Sequence, residues 1–284
     1  QPTTIHWHGI RIDNAMDGVA GLTQAAVNSS ETFRYSFVAP DAGTYWYHPH
    51  FRTWEQLARG LHGVLVVEEP SPPEVDQDVV LVIDDWRIAE DGQIDEASFE
   101  SLHDLSHAGR LGNILTLNGK FTEDFSVLSG QRLRLRLVNA ATARVMSVRF
   151  DAHTPFVVAL DGQPVERPFA PAGNSVHLAP AQRVDLILDC GGDPGQINAI
   201  NVNVGRETLQ AGRLIYHPRR RQRANPISDF PILPVNPMPT HIELDKAVPV
   251  DLVMSGGARR PFPSAQYKGK EMALRELARQ HKKV

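Results

Sequence analysis

The stretch Ala42-Gly43-Thr44-Tyr45-Trp46-Tyr47-His48-Pro49-His50 contains a turn, an aromatic run and a histidine pair in succession. Aromatic and β-branched residues that follow a glycine turn are typical of a β-strand. Pro49 has no backbone donor, so the strand is predicted to end there or to lie at a sheet edge. A second histidine pair, in His6-Trp7-His8-Gly9, has similar surroundings near the start of the chain. Both pairs are therefore predicted to lie on β-strands.

The spacing of the histidines points to metal binding. Residues i and i+2 of a strand share a face, with Cα atoms roughly 6.5 Å apart, so Trp7 is expected on the opposite face, in the core. If the two strands are neighbours, His6, His8, His48 and His50 surround one small volume. Imidazole donors alone favour copper, zinc, iron or nickel over calcium or magnesium, and the spacing does not choose among these four. The alternative is a set of structural histidines or a chance cluster.

Further short runs of β-branched and aromatic residues surround the two pairs. The predicted strands include Thr32–Val38, Thr44–Tyr47, Gly63–Glu68, Val79–Ile83, Leu133–Val138 and Arg183–Leu188. A proline-rich stretch after residue 68 separates two β-rich blocks, and a similar order of strands and turns in both predicts two copies of one Greek-key sandwich or barrel. The predicted domains are 1–70, whose opening strands are expected to be missing, 75–218, and 219–284, a linker with the start of a third domain.

Several local patterns give smaller expectations. Alternation over Leu133–Val138 predicts leucines that point inward and arginines, Arg134 and Arg136, that point outward. The pair Asp84-Asp85 is expected at a solvated strand end, and Lys268–Val284 is expected to form a short helix. The basic run Arg219–Arg223 is interpreted as a solvated linker, with an anionic-surface patch as the alternative. On a helix, His103 and His107 would share one side and offer two metal ligands without an obvious third.

The composition excludes several classes of protein. The 284 residues are 42% hydrophobic and 22% charged, which is typical of a globular chain and too apolar for a disordered one. The net charge of −4 argues against a general nucleic-acid binder. The single cysteine, Cys190, excludes an internal disulfide and a cysteine-rich zinc site. No apolar run of about 18 residues is present to span a membrane, and no signal peptide is expected within the chain.

The first block resembles the first domain of multicopper oxidases, the family that includes laccases and bacterial copper-efflux oxidases. The resemblance rests on His6-Trp7-His8-Gly9, the turn Asp17-Gly18, the stretch from Ala42 to His50, and Gly60-Leu61-His62-Gly63 with the valine-rich run that follows. The second block, with Leu178-Ala179-Pro180-Ala181-Gln182-Arg183-Val184-Asp185, resembles the middle domain of the same family. The resemblance therefore implies an all-β fold of tandem cupredoxin-like domains.

The resemblance also implies roles for individual residues. His6 matches a ligand of a type 2 copper, while His8, His48 and His50 match ligands of type 3 coppers. In the family these ions form a trinuclear cluster that reduces dioxygen to water with electrons from a type 1 copper. Asp17 matches an acidic position that assists proton delivery, and its alternative role is that of a turn residue before Gly18.

The chain also departs from the family pattern. The H-x-x-H-x-H and H-C-H motifs of the last domain are absent from the sequence, and Val250–Gly257 resembles only the start of that domain. Cys190 has no histidine neighbour, so it is not expected to be a type 1 ligand but a buried or half-buried free thiol. Ser147-Val148-Arg149 falls where a histidine pair would stand, so the second block is expected to be copper-free. Trp54 and Gln56 follow the second pair and are candidates for supporting the ligands.

Three functions remain open at this point. The parent protein is expected to be an oxidase that couples oxidation of phenols, amines or metal ions to dioxygen reduction, and the isolated chain is expected to be inactive without a third domain. The alternatives are a non-catalytic cupredoxin-like copper-binding protein and a copper-free structural protein, although retention of all four histidines argues against the latter. An H-C-H motif encoded downstream of Val284 would favour the oxidase, and a stop codon there would favour the binding protein. The family implies a periplasmic or extracellular location.

Overall fold

The computed structural model describes residues 1–220, 230–239, 241–247, 253–257, 260–267, 269–273 and 276. The strands are β1 (His6–His8), β2 (Gly43–His48), β3 (Gly63–Val67), β4 (Gln77–Trp86), β5 (Ile114–Leu117), β6 (Glu123–Ser129), β7 (Arg132–Asn139), β8 (Met146–Phe150), β9 (Phe156–Leu160), β10 (Gln163–Phe169), β11 (Ser175–Leu178), β12 (Arg183–Asp189), β13 (Ile197–Val204), β14 (Glu207–Arg220), β15 (Val253–Gly257), β16 (Arg260–Tyr267) and β17 (Lys270–Ala273). Two short α-helices are described, α1 (Thr53–Gln56) and α2 (Leu102–Ser106), together with 3-10 turns at Asn14–Met16, Leu57–Arg59, Glu96–Ser98, Ala172–Asn174 and Leu244–Lys246.

The first sheet has the antiparallel order β1-β2-β3 and carries His6, His8 and His48, while His50 follows the end of β2. On its other face, the ring of Trp7 contacts the rings of Tyr35, Phe37 and Tyr47 at centroid distances of 5.1 to 5.6 Å. These contacts fix β1 in place and therefore fix the positions of His6 and His8, whose side chains lie on its opposite face.

Residues Thr32–Val38, predicted as a strand, are not assigned to any strand in the structure. The alternation nevertheless places Tyr35 and Phe37 on the same side of the segment, where both pack against Trp7. Instead of a backbone ladder, the hydroxyl of Tyr35 accepts a hydrogen bond from the backbone N–H of Ile5 at 3.0 Å. Side-chain packing alone therefore accounts for the pattern that predicted a strand.

The second block consists of a six-stranded sheet, β10-β9-β12-β7-β4-β5, and a five-stranded sheet, β11-β8-β13-β14-β6. A single cluster of buried apolar residues lies between them and includes Leu133, Leu135 and Leu137, as the alternation predicted. Parallel pairing of β4 with β7, and of β6 with β14, links strands that are distant in sequence. The predicted all-β class is therefore confirmed.

Arg134 and Arg136, expected to face solvent, are buried, with relative exposures of 1% and 2%. Arg134 donates to both carboxylate oxygens of Glu69, and Arg136 donates to those of Asp78. Both arginines also bond to Asp185 at 2.8 and 3.2 Å. The outward face of β7 is covered by the first block, so its cations are paired rather than solvated.

Asp84 and Asp85, expected at a solvated edge, are buried near the end of β4. Asp85 accepts hydrogen bonds from the Arg144 guanidinium and the backbone N–H of Gly112, each at 2.6 Å. Asp84 lies 3.3 Å from a ring nitrogen of His62. The two carboxylates are buried because tertiary contacts supply partners that the local sequence does not show.

Residues 230–239, assigned to a linker from the sequence, pack along the second block. Leu233 is buried against Val158, Ala159 and Ile187. The Asn236 side chain hydrogen-bonds both backbone groups of Ala42 in the first block, at 2.8 and 2.9 Å. The segment therefore ties the two blocks together.

Replacing Leu233 by alanine should destabilise the protein by about 2–4 kcal/mol, because the truncated side chain leaves a cavity in an apolar cluster. The midpoint of urea denaturation measures this loss. The adjacent Ile232 is 66% exposed, so Ile232→Ala is a matched control that should change stability by less than about 0.5 kcal/mol. Equal effects of the two substitutions would show that the segment is not docked in solution.

The helix predicted for Lys268–Val284 is wrong for residues 270–273, which form β17 and pair with β16. Gly269 adopts φ +75° at the turn between these strands, and Met272 lies opposite the buried Ala265. Cross-strand pairing thus overrides the local helix-forming pattern. Residues 268, 274–275 and 277–284 of the predicted helix, and 221–223 of the basic run, lie outside the described residues. Residues 219–220, predicted to belong to a linker, form the end of β14 instead.

Candidate metal centre

The ladder between β1 and β2 brings the histidine pairs together. His6 lies directly opposite His48, and His8 lies opposite Trp46. Strand β2 ends at His48, before Pro49, so the prediction that His50 lies on a strand is wrong, and His50 follows the end of the strand. The ring of His6 has its centroid 5.3 Å from those of both His48 and His50.

The imidazole nitrogens are close enough to serve a small group of metal ions. One ligand atom from each of His6, His8 and His48 lies within 4.8 Å of the others. His8 Nδ1 and His48 Nε2 are 3.2 Å apart. His50 is the most exposed of the four, and its ring centroid lies 6.2 Å from that of His48.

Backbone carbonyls orient two of the rings. Nδ1 of His6 lies 2.9 Å from the carbonyl oxygen of Asp17, and Nδ1 of His48 lies 3.0 Å from that of Pro49. A ring that donates through Nδ1 keeps the lone pair on Nε2, which is then free to bind a cation. These contacts select the tautomer that a metal ligand requires.

Three of the rings have lowered pKa values and are therefore neutral at neutral pH. Burial is the largest cause lowering the pKa of His8 to about 3, with the charge of Arg183 second. Burial likewise lowers the pKa of His48 to about 4, and it lowers the pKa of His50. Neutral imidazole is the form that binds metals, so these rings are ready for ligation at neutral pH.

Asp17 lies next to His6, with its carboxylate oxygen 3.2 Å from Nδ1 of the ring. The hydrogen bond with His6 is the main reason that the pKa of Asp17 is lowered. Burial lowers the pKa of His6, but hydrogen bonds and charge from Asp17 raise it overall. Asp17 therefore both stabilises a proton on His6 and, with a side chain 30% exposed, reaches solvent.

Gln56 and Trp54, which the sequence suggested as residues that support the histidine ligands, have different surroundings. Gln56 is buried, and its amide donates to the carbonyl oxygens of Pro2 and Phe51 at 3.0 and 2.8 Å. It thus connects the segments next to both histidine pairs. Trp54 is 44% exposed and lies beneath the guanidinium of Arg52.

Two close neighbours of the rings were not identified from the sequence. Trp46 is buried, with its indole 4.5 Å from the ring of His48 and 5.3 Å from that of His8. Its i, i+2 spacing to His48 was a usable signal, because it places Trp46 on the ligand face. Arg183 contacts Gly9, and no local pattern marks it, because it comes from the second block.

The remaining candidates lie elsewhere. The rings of His103 and His107 stack at 4.3 Å and form a separate pair beside α2. Cys190 is a free, buried thiol beside Tyr216, and burial raises its pKa to about 12. Among the described residues, the one group of three or more potential metal ligands is His6, His8 and His48.

A family model for multicopper oxidases matches residues 1–72, and a second model of the same description matches residues 77–214. The chain therefore belongs to the multicopper oxidase family, whose cupredoxin-like β-sandwich domains agree with the fold predicted from the sequence. The family binds copper, which fits the all-imidazole donor set.

Curated relatives and solved structures agree with this assignment. Laccase-1 of Botryotinia fuckeliana is 33% identical over 224 residues, which cover 74% of this chain and 36% of the relative. Dihydrogeodin oxidase of Aspergillus terreus is 32% identical, covering 68% of this chain and 34% of the relative. The crystal structure of Lac15 from a marine microbial metagenome is 40% identical, with a TM-score of 0.70, and covers 84% of this chain and 58% of that one. A multi-copper oxidase from Pseudomonas thermotolerans is 31% identical, with a TM-score of 0.78, and covers 89% of this chain and 59% of that one.

The chain thus spans about a third of the length of these curated relatives. No helix among the described residues is long and apolar enough to cross a membrane.

Proposed function

We propose that this chain supplies part of the copper centre of an oxidase that couples one-electron oxidation of phenols, amines or metal ions to reduction of dioxygen to water. The observation that carries the proposal is the convergence of four imidazoles, those of His6, His8 and His48 on the β1–β2 ladder and that of His50 just after β2. In this proposal His6 is a ligand of a type 2 copper, and His8, His48 and His50 are ligands of type 3 coppers.

The residues present fit copper. The donors are imidazoles, three of them with lowered pKa values, and two donate Nδ1–H to carbonyl oxygens, which leaves Nε2 as the unprotonated nitrogen. When bound, copper supplies the one-electron redox chemistry that these side chains lack. Trp46, which is buried, packs against the ring of His48.

Asp17 is proposed to deliver protons. Its carboxylate touches the ring of His6 on one side and reaches solvent on the other. A carboxylate in that position stays ionised and can pass protons from solvent toward the His6 ring, with which it is in hydrogen-bond contact.

Four histidines are too few to ligate three ions, so we propose that a further domain supplies the remaining ligands and the type 1 site. Cys190 does not serve there, because its sulfur is buried beside Tyr216 in the core of the second block. The second block is proposed to be copper-free, and the isolated chain to be inactive as an oxidase. The proposed location is periplasmic or extracellular, and nucleic acid is not among the proposed partners.

Copper titration of the purified chain tests the proposal. We expect Cu(II) binding with the electron paramagnetic resonance spectrum of nitrogen ligation, no intense blue absorption, and negligible oxygen consumption with a phenolic substrate. A variant with all four histidines changed to alanine should lose this spectrum, whereas His103→Ala/His107→Ala should keep it. Unchanged copper binding in the fourfold variant would overturn the proposed site, and rapid oxygen consumption by the chain alone would overturn the proposed need for another domain.

A further inference from the structure

Arg183, the first residue of β12, is a buried cation at the junction of the two blocks, 3% exposed. Its guanidinium donates to the backbone carbonyl oxygens of Thr44, Ala181 and Asp161 at 3.1 to 3.2 Å. Within the described part of the chain, the carboxylate that pairs with it is that of Asp161, at 3.0 Å and 52% exposed, and the charge of Asp185 acts on it from farther away. Neutral carbonyls and one half-solvated carboxylate neutralise the charge of Arg183 only in part.

The guanidinium also lies directly against the backbone that follows the first histidine pair. A Cβ atom on Gly9 would collide with Nη2 of Arg183, and Gly9 adopts φ +84°. The chain leaving His8 therefore passes over the cation, and only glycine fits there. Gly9 directly follows His8, so the cation lies next to the backbone of the first histidine pair.

Strand β12, which begins with Arg183, also contacts β2, the strand that carries His48. Asp185, two residues after Arg183, accepts a hydrogen bond from the Thr44 hydroxyl at 2.6 Å, while Arg183 donates to the Thr44 carbonyl. Thr44 precedes His48 on β2. Strand β12 thus contacts β2 and the end of β1, the two strands that carry the ligands.

We infer that Arg183 is a positioning residue for the copper centre and a fixed positive charge beside His8 that favours Cu(I) over Cu(II) at that ligand. The inference rests on the proposed function, since it requires copper at His8. Its physical basis is that the repulsion between a fixed cation and a bound ion grows with the charge of the ion, so Cu(II) is destabilised more than Cu(I). The second block, which is proposed to hold no copper, would in this way set the preference of the copper centre in the first block for Cu(I) over Cu(II).

The test is the ratio of the dissociation constant for Cu(II) to that for Cu(I), measured on the full chain by competition with chromophoric chelators, anaerobically for Cu(I). Arg183→Gln removes the cation, and the ratio should fall about tenfold, the size expected for one partly screened charge at short range. Arg183→Lys keeps the charge but loses the fork of donors, so both ions should bind more weakly at an unchanged ratio. Arg213→Gln, which removes an exposed arginine of the second block, is the control for net charge and should leave the ratio within about twofold.

A second variant should raise the ratio of the two dissociation constants and fits the native backbone. Asp161→Asn removes the counter-charge of Arg183, and asparagine tolerates the left-handed backbone at this position, φ +50°. The ratio should then rise about two- to threefold, since an exposed charge acts weakly. If the wild-type chain binds no copper through its histidines, the proposed function fails. If it binds copper but the ratio stays constant in Asp161→Asn and in folded Arg183→Gln, the inference about Arg183 fails alone.

Discussion

Replacing His8 by alanine is expected to lower the Cu(II) affinity of the chain by at least about 100-fold. Loss of a residue that merely supports a ligand costs roughly 10- to 100-fold in metal affinity, so loss of a ligand itself should reach the upper end or exceed it. His8 belongs to the three-donor group, and its Nδ1 lies 3.2 Å from Nε2 of His48. Calorimetric titration with Cu(II) measures the change.

His177→Ala is the matched control for this substitution. His177 lies on β11, a strand of the second block, and its side chain is exposed. The control should bind copper as the wild type does, and both variants should retain the circular dichroism spectrum of the wild type. If His8→Ala retained wild-type affinity while folded, His8 would not be a ligand.

The second large effect is expected for Asp185→Asn, which should destabilise the protein by about 3–5 kcal/mol. Asp185 is 1% exposed and accepts from Arg134, Arg136 and the hydroxyl of Thr44. The amide removes the negative charge at constant size, so two buried guanidinium groups lose their shared counter-ion. Burial alone would lower the pKa of Arg134, but Glu69 and Asp185 raise it overall, which shows how strongly the network holds this cation.

Urea denaturation of Asp185→Asn should be compared with that of Asp124→Asn. Asp124 pairs with Arg213 at 2.6 Å on the surface, where both side chains are about 40% exposed. An exposed pair contributes at most about 1 kcal/mol, so this control removes a carboxylate–arginine contact of the same type without burial. Similar denaturation midpoints for the two variants would mean that the buried network contributes little to holding the blocks together.

The shared face of His6 and His8 was predictable from the sequence because it depends on local strand geometry, whereas His50 lies beyond the end of β2. A strand places residues i and i+2 on one side, whatever it packs against, so His6 and His8 share a face by covalent geometry alone. The same rule directed Leu133, Leu135 and Leu137 to the core. Local patterns were insufficient where packing and pairing differ, as in Thr32–Val38, whose aromatic residues pack on Trp7 without joining a ladder.

The sequence by itself determined that the chain is all-β and that it carries two imidazole pairs suited to metal ions. The tertiary structure decided that His6 stands opposite His48, because strand register depends on pairing between residues far apart in the chain. It also decided that Arg134 is buried, since Glu69, whose carboxylate compensates the desolvation of the guanidinium, lies 65 residues away in the chain. Likewise, Arg183 contacts Gly9 because folding brings together two residues that are far apart in the chain. A buried charge is stable only beside its partners, and only the folded chain brings those partners together.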